Sequence, residues 1–162
     1  MEKKILNDFC FHKPKTLDEA LVLIDKYQEN GLLMEGGSEV IPNMKSLVVT
    51  PDHIISLKHI PEFDYITYTP GKGLHIGPSC TLTKVEYDPD VQTVYPSLYM
   101  GVHGMSNTNI HNISTVTGNI CYAVPSADTA VIAVVAADIA DFDQSSNVHI
   151  RTVCLLYTSP SP

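Results

Sequence analysis

The chain has 162 residues, of which 44% are hydrophobic and 17% charged, and its net charge is −8 at pH 7. This length predicts one ordinary domain or two small lobes, with enough apolar residues for a core. The acidic balance argues against a nucleic-acid-binding surface, because proteins that bind phosphate backbones carry basic clusters. We find no apolar run long enough for a membrane span and no apolar core of a secretory signal, so we expect a cytoplasmic protein.

The cysteines are widely spaced and form no C-x-x-C pair: Cys10, Cys80, Cys121 and Cys154. Structural zinc and iron–sulfur centres need clustered thiolates, so we expect no metal site in this chain. Single buried thiols in a reducing compartment are the expected arrangement. His103 and His111 have no Cys, Asp or Glu at a supporting spacing, and we expect them to be surface or loop residues.

In chain order, the first predicted element is a helix that begins after a capping box of Thr16 and Glu19. Apolar residues follow it at helical spacing: Leu17, Ala20, Leu21, Ile24 and Tyr27. Asn30-Gly31 predicts the end of this helix. A short strand over residues 32–34 and a second over residues 53–57 are expected to lie parallel to each other.

A hairpin is predicted next, because residues 65–69 and 74–77 flank the turn sequence Pro70-Gly71-Lys72-Gly73. Residues 91–104 are compatible with a helix in which Pro96 either lies in a first turn or breaks the helix. The chain then reaches a polar loop at residues 106–109.

The C-terminal part is predicted to contain a helix that begins at Pro125 and Ser126 and runs to Ala137. Residues 138–142 and 148–153 are possible strands around a polar turn.

Two glycine turns, each behind an apolar stretch, are the most informative feature of the chain. The first lies in residues 33–42 and contains Gly36-Gly37-Ser38, and the second lies in residues 112–120 and contains Thr117-Gly118-Asn119. Glycine has no Cβ, so backbone N–H groups beside it can approach an anion closely. Two such turns predict a site that holds a pyrophosphate from both sides, as in a dinucleotide.

These segments resemble the flavin motifs of the FAD domain of molybdenum hydroxylases. That family includes the FAD-binding subunits of xanthine dehydrogenase, carbon monoxide dehydrogenase and 4-hydroxybenzoyl-CoA reductase. Residues 36–45 look like its first motif, residues 110–119 like its second, and residues 125–128 like the proline-to-aspartate step that follows. Two motifs in this order and at this separation are more specific than one glycine turn.

The resemblance implies an α+β fold of the PCMH type, with FAD held between a small parallel-strand lobe and a larger mixed or antiparallel lobe. We expect residues 1–57 to form the first lobe and residues 58–153 an incomplete second lobe. Residues 154–162 do not resemble the family and are expected to be a non-native tail at the end of a truncated sequence.

The resemblance also implies roles for individual residues. The amides of Gly36, Gly37 and Ser38 would face one phosphate, and Glu39 would shape the loop or bind a flavin hydroxyl. A second group, Thr115, Gly118 and Asn119, would hold the other phosphate. The full set of implied cofactor-binding residues is Leu33, Met34, Glu35, Gly36, Gly37, Ser38, Glu39, Val40, Thr115, Val116, Thr117, Gly118, Asn119 and Asp128.

Three positions in this set call for a physical interpretation. Glu35 stands where the family usually has a small apolar residue, and repulsion predicts that its carboxylate points away from a phosphate. Thr117 replaces a glycine, and its β-branched side chain is expected to resist a positive φ. Asp128 would accept a hydrogen bond from a ribityl or ribose hydroxyl, although an acidic residue near a helix N-terminus also complements the helix dipole without a ligand.

The function implied is that of an FAD-binding electron-transfer subunit of an oxidoreductase acting on CH or CH2 groups. Its expected partners are a molybdopterin-binding large subunit and a small subunit with two iron–sulfur clusters, with NAD or another electron acceptor. The alternatives are a flavin oxidoreductase of the same fold that acts alone and a flavin-free interaction subunit.

Overall fold

The computed structural model describes residues 6–122, and its first layer is a parallel sheet. Strands β1 (Cys10–His12), β2 (Gly31–Met34) and β3 (His53–Ser56) lie in the order β1-β3-β2. Gly31 of β2 pairs with His53 of β3, and Met34 pairs with Ser56. The predicted parallel pairing of the second and third strands is confirmed, whereas β1 was not predicted.

Helix α1 (Leu17–Tyr27) connects β1 to β2 and begins as the sequence predicts. The hydroxyl of Thr16 accepts a hydrogen bond from the amide of Glu19 at 3.2 Å. Ala20 is fully buried, but Leu17 and Leu21 are about two-fifths exposed, so only part of the apolar face packs on the sheet. The helix is followed by a 3₁₀ turn over Gln28–Asn30, after which Gly31 begins β2, and helix α2 (Val40–Lys45) lies between β2 and β3.

The second layer begins with the predicted hairpin, formed by β4 (Ile66–Thr69) and β5 (Gly73–Ile76). Three helices follow: α3 (Leu82–Tyr87), α4 (Pro89–Val94) and α5 (Pro96–His103). The main apolar core lies among them and comprises Cys80, Leu82, Val85, Val91, Leu98, Val102 and Val116.

The helix expected over residues 91–104 is two helices, because Pro96 breaks it. Tyr95 separates α4 from α5 with φ −123° and ψ 59°, which is not a helical conformation. Proline disfavours a helical residue before it and lacks the N–H that a continuing helix needs. Asp88 begins α4 by accepting hydrogen bonds from the amides of Asp90 and Val91, both at 3.0 Å.

Two short helices end the described part of the chain. The polar loop at residues 106–109 contains the start of α6 (Thr108–His111), and the second glycine segment contains α7 (Val116–Tyr122). The segment before α7 is tied to α3, since Leu82 donates its amide hydrogen to the Ser114 carbonyl at 2.9 Å. The predicted helix from Pro125 and the strands that follow it lie outside the described residues.

The expectations for single cysteines and histidines need correction. Cys80 is buried, but Cys10 on the edge strand β1 and Cys121 on α7 are exposed. His111 is only 5% exposed, so it is a buried residue and not a surface or loop one. Within residues 6–122, no helix is long and apolar enough to cross a membrane.

Truncation of the core should cost much more stability than truncation of an exposed apolar side chain. We expect Leu82→Ala to lower the free energy of unfolding by about 2–5 kcal/mol, because Leu82 is fully buried in the core. Met100→Ala is the control, since Met100 is 70% exposed on α5, and its effect should stay within about 0.5 kcal/mol. Chemical denaturation measures both; equal losses would contradict this placement of the core.

Candidate functional site

The first glycine segment begins where β2 ends. Residues 35–39 form a tight loop between Met34 of β2 and α2 (Val40–Lys45). Gly37 has φ +78°, a conformation that residues with a Cβ rarely adopt. The loop therefore turns the chain sharply at the carboxyl edge of the parallel sheet, a place where open α/β sheets commonly bind ligands.

Consecutive amides of this loop are unengaged in the described part of the chain. Within residues 6–122, five successive backbone N–H groups have no backbone or side-chain acceptor. They belong to Gly36, Gly37, Ser38, Glu39 and Val40. The next amide along the chain, that of Ile41, is engaged, because it donates to the Gly37 carbonyl at 3.2 Å. A run of unengaged amides around a left-handed glycine is a typical concavity for an anion.

The second glycine segment is the first turn of α7. The hydroxyl of Thr115 accepts a hydrogen bond from the amide of Gly118 at 2.9 Å, which is the arrangement of a helix N-cap. The amide of Gly118 is therefore engaged and does not face a phosphate. The expected clash at Thr117 is also absent, because Thr117 lies in the helix and its φ is not positive.

The two glycine segments touch each other. A Cβ placed on Gly36 would overlap the carbonyl oxygen of Ile113 and lie 3.0 Å from the Cα of Ser114. A Cβ placed on Gly118 would lie 3.9 Å from the Cβ of Glu35. These glycines thus allow the end of β2 to lie directly against the start of α7.

A side-chain contact joins the helices that follow the two segments. The amide nitrogen of Asn43 on α2 donates to the hydroxyl of Tyr122 on α7 at 2.8 Å. The sequence gives no signal for this pairing, since the two residues are 79 positions apart and each is an ordinary polar residue on a short helix.

The carboxylate of Glu35 points inward, towards Ser79. Its Oε2 accepts a hydrogen bond from the Ser79 hydroxyl at 2.8 Å, and the side chain is half-buried. Burial raises the pKa of Glu35, and the hydrogen bond from Ser79 partly opposes that rise. The Ser79 hydroxyl also lies 3.2 Å from the carbonyl oxygen of Leu57. Ser79 carries no motif signal and was missed.

The remaining residues that were predicted to bind the cofactor differ in position and burial. Leu33 and Met34 are the last residues of β2, directly before the loop. Val116 is 7% exposed and belongs to the core, so its side chain is unavailable to a ligand. Asn119 is half-buried on α7. Asp128 lies outside the described residues.

A charged cluster holds the segment that leads into α7. Each carboxylate oxygen of Glu86 faces a histidine Nδ1, that of His103 at 2.8 Å and that of His111 at 2.9 Å. The other ring nitrogen of His111 faces the carbonyl oxygen of Met105, so the ring serves both acceptors only when both nitrogens carry protons. Hydrogen bonds from the two histidines hold the pKa of Glu86 below its ordinary value.

The described fold and its paired loops define a class: an α+β domain with a run of unengaged backbone amides at the carboxyl edge of its parallel sheet. Comparison with known proteins agrees with this class. Residues 7–153 match the family model described as the FAD binding domain in molybdopterin dehydrogenase. The chain belongs to this family, so it is an FAD-binding domain of the PCMH type, as the resemblance predicted.

Individual relatives are similar along much of the chain. The nicotinate dehydrogenase FAD-subunit of Eubacterium barkeri is 29% identical over 71% of this chain and 39% of its own length. A putative xanthine dehydrogenase FAD-binding subunit of Escherichia coli is 31% identical over 76% of this chain and 42% of its own. The chain therefore spans about two-fifths of the length of these curated relatives.

A solved structure shares the fold. The carbon monoxide dehydrogenase of Hydrogenophaga pseudoflava that lacks the Mo-pyranopterin moiety superposes with a TM-score of 0.72 at 27% identity. The superposition covers 75% of this chain and 42% of that chain.

The contact between the glycine segments should not tolerate a methyl group. We expect Gly36→Ala to lower the free energy of unfolding by about 1–3 kcal/mol, because the new Cβ meets the backbone of Ile113. Gly104→Ala is the control, since Gly104 has φ −78° and a Cβ there lies 3.3 Å from its nearest neighbour. Thermal unfolding compares them; an unaffected Gly36→Ala would mean that the segments do not touch.

The cluster around Glu86 should make the protein acid-sensitive. Since the native pKa of Glu86 is below its unfolded value, its stabilisation is complete above about pH 4.3 and is lost as pH falls through the native pKa. We expect Glu86→Gln to cost about 1–3 kcal/mol at neutral pH and to flatten the dependence of stability on acid pH. Denaturation at several pH values measures this, with the exposed Glu62→Gln as control; identical profiles for the three proteins would contradict it.

Proposed function

We propose that the protein is the FAD-binding electron-transfer subunit of a molybdenum-containing hydroxylase or dehydrogenase complex. The observation that best supports this is the run of unengaged amides in residues 36–40, held against the start of α7. Within residues 6–122, no cluster of three or more metal-ligating side chains accompanies it. Because the unengaged donors are backbone amides, the proposed site would bind an anionic cofactor through the main chain.

The groups that would contact the two phosphates of the pyrophosphate differ. The amides of residues 36–40 would hold one phosphate, and the Ser38 hydroxyl would add a donor. The amide of Thr117, near the N-terminus of α7, and the side chain of Asn119 would face the other phosphate. Asp128 would accept a hydrogen bond from a ribityl or ribose hydroxyl of the cofactor. Bound FAD supplies the redox chemistry, for which protein side chains have no equivalent.

The proposed partners follow from the relatives, which are named as FAD-binding subunits and medium chains of dehydrogenases. We assign the oxidation of a CH or CH2 group to a molybdopterin-binding large subunit. A small subunit with two iron–sulfur clusters would pass the electrons to FAD, and NAD or another acceptor would receive them. A cytoplasmic location, as expected from the sequence, is part of the proposal.

The cofactor preference tests this function. We expect the chain to bind FAD at least about tenfold more tightly than FMN, because FMN lacks the second phosphate and the adenosine that the paired segments would hold. Isothermal titration calorimetry measures both affinities, and the visible spectrum of the purified protein reports any retained flavin.

Gly36→Ala provides the matched variant, since it separates the two segments, and Gly104→Ala is its control. FAD affinity should fall in the first and persist in the second. Equal affinity of the unaltered chain for FAD and FMN would contradict the pyrophosphate site. A chain that binds neither flavin would favour a flavin-free interaction subunit.

A further inference from the structure

We propose that Glu35 and Ser79 form a proton-accepting pair that couples FAD binding to the uptake of a proton. This inference rests on the proposed function. It identifies Glu35 as a positioning residue that sets how strongly the site holds the cofactor at a given pH.

Glu35 lies next to the amides that would hold the pyrophosphate. It directly precedes Gly36, whose amide begins the run of unengaged donors. Its Cβ is also 3.9 Å from the position that a Cβ on Gly118 would occupy in the first turn of α7. Glu35 therefore lies between the two segments that would hold the pyrophosphate, and an ionised carboxylate there would repel it.

The hydrogen bonds around Ser79 accommodate the Glu35 carboxyl group in both its ionised and its protonated form. A serine hydroxyl has one hydrogen, but here it lies 2.8 Å from Glu35 Oε2 and 3.2 Å from the Leu57 carbonyl oxygen. When Glu35 is ionised, the Ser79 O–H donates to its carboxylate, and the Leu57 carbonyl retains the hydrogen bond from the Ile60 amide at 3.1 Å. When Glu35 is protonated, its O–H donates to the Ser79 oxygen, and the Ser79 O–H is free to donate to Leu57.

No cation offsets the charge of Glu35 in the described part of the chain. The pKa of its carboxyl group is raised by burial and lowered only by Ser79, and no Coulombic contribution from another side chain accompanies these effects. The ionisable groups on neighbouring elements are Glu39, which is exposed, the Lys58 and His59 side chains beyond Leu57, and the Cys80 thiol beside Ser79. The thiol stays neutral because burial raises its pKa to about 11.

The direction of the pH dependence follows from these charges. Each phosphate of FAD carries one negative charge across this range, so binding raises the pKa of Glu35 further. Between the pKa of the free protein and that of the complex, binding takes up a proton, and the affinity falls by up to about tenfold for each unit that the pH rises. Below and above this window, the affinity is independent of pH.

Calorimetry tests the coupling directly. FAD is titrated into the full chain in pairs of buffers with different ionisation enthalpies, because the difference in observed heat gives the number of protons taken up. We expect net uptake, approaching one proton per FAD within the window. Glu35→Gln should take up no proton and bind FAD with pH-independent affinity, at least as tightly as the unaltered chain above the window.

Two further variants separate this coupling from a general effect of charge. Glu29→Gln removes an exposed carboxylate from the 3₁₀ turn at the other end of β2, and it should retain the proton uptake of the unaltered chain. Ser79→Ala removes the hydrogen bond that lowers the pKa of Glu35, and it should move the window to higher pH.

The outcomes distinguish this inference from the proposed function. If FAD binds the unaltered chain without proton uptake at any pH between 5 and 8, the coupling is wrong and the FAD site stands. Uptake that persists in Glu35→Gln also overturns the assignment. If Glu35→Gln does not fold, the titrations of the unaltered chain and of Ser79→Ala decide. If no FAD binds at all, the proposed function itself fails.

Discussion

The close approach of the Gly36 backbone to that of Ile113 and Ser114 is the constraint on which the candidate site depends. The two backbones lie so near each other that a methyl group at Gly36 would overlap a carbonyl oxygen. One segment ends a strand of the parallel sheet, and the other leads into α7, whose Val116 packs in the core beside the hairpin. This contact therefore links the two layers of the fold and brings the two glycine segments into one place.

The chemistry of the site is that of oriented backbone amides. Within residues 6–122, the loop from Gly36 to Val40 contains amide donors that the fold itself does not engage, and the half-buried side chain directly before it, Glu35, is acidic. Amide dipoles attract an anion without the desolvation cost of a buried cation, and they are fixed before the anion arrives. An acidic group beside them weakens the attraction unless it is neutral. The proposed site would thus combine an anion-binding loop with a group whose protonation sets the affinity.

Local sequence signals predicted the elements in which neighbouring residues decide the structure. Thr16 caps α1, and the Pro70-Gly71-Lys72-Gly73 turn closes the β4–β5 hairpin. Strand β1 was missed, because its three residues carry no periodicity and its pairing with β3 joins positions more than forty residues apart. The break at Pro96 was left open, since proline is compatible with both a first turn and a helix end.

The errors at the candidate site have a similar cause. The Thr115–Gly118 sequence was interpreted as a glycine turn, but the same hydroxyl and glycine serve equally well as the N-cap of a helix. The inward direction of Glu35 depends on Ser79, which is 44 positions away, so no local pattern reveals it. The resemblance to a family predicted which segments meet, whereas their individual contacts follow from packing that a single sequence does not display.

The central claim is that the loop amides and the start of α7 form one FAD site. Hydrogen exchange of individual amides, measured by NMR with and without FAD, tests it most directly. The account predicts that FAD slows exchange at the amides of residues 36–40 and at Thr117 together, with little change at the amides of the β4–β5 hairpin turn. Exchange at residues 36–40 that is unchanged by saturating FAD would contradict the account.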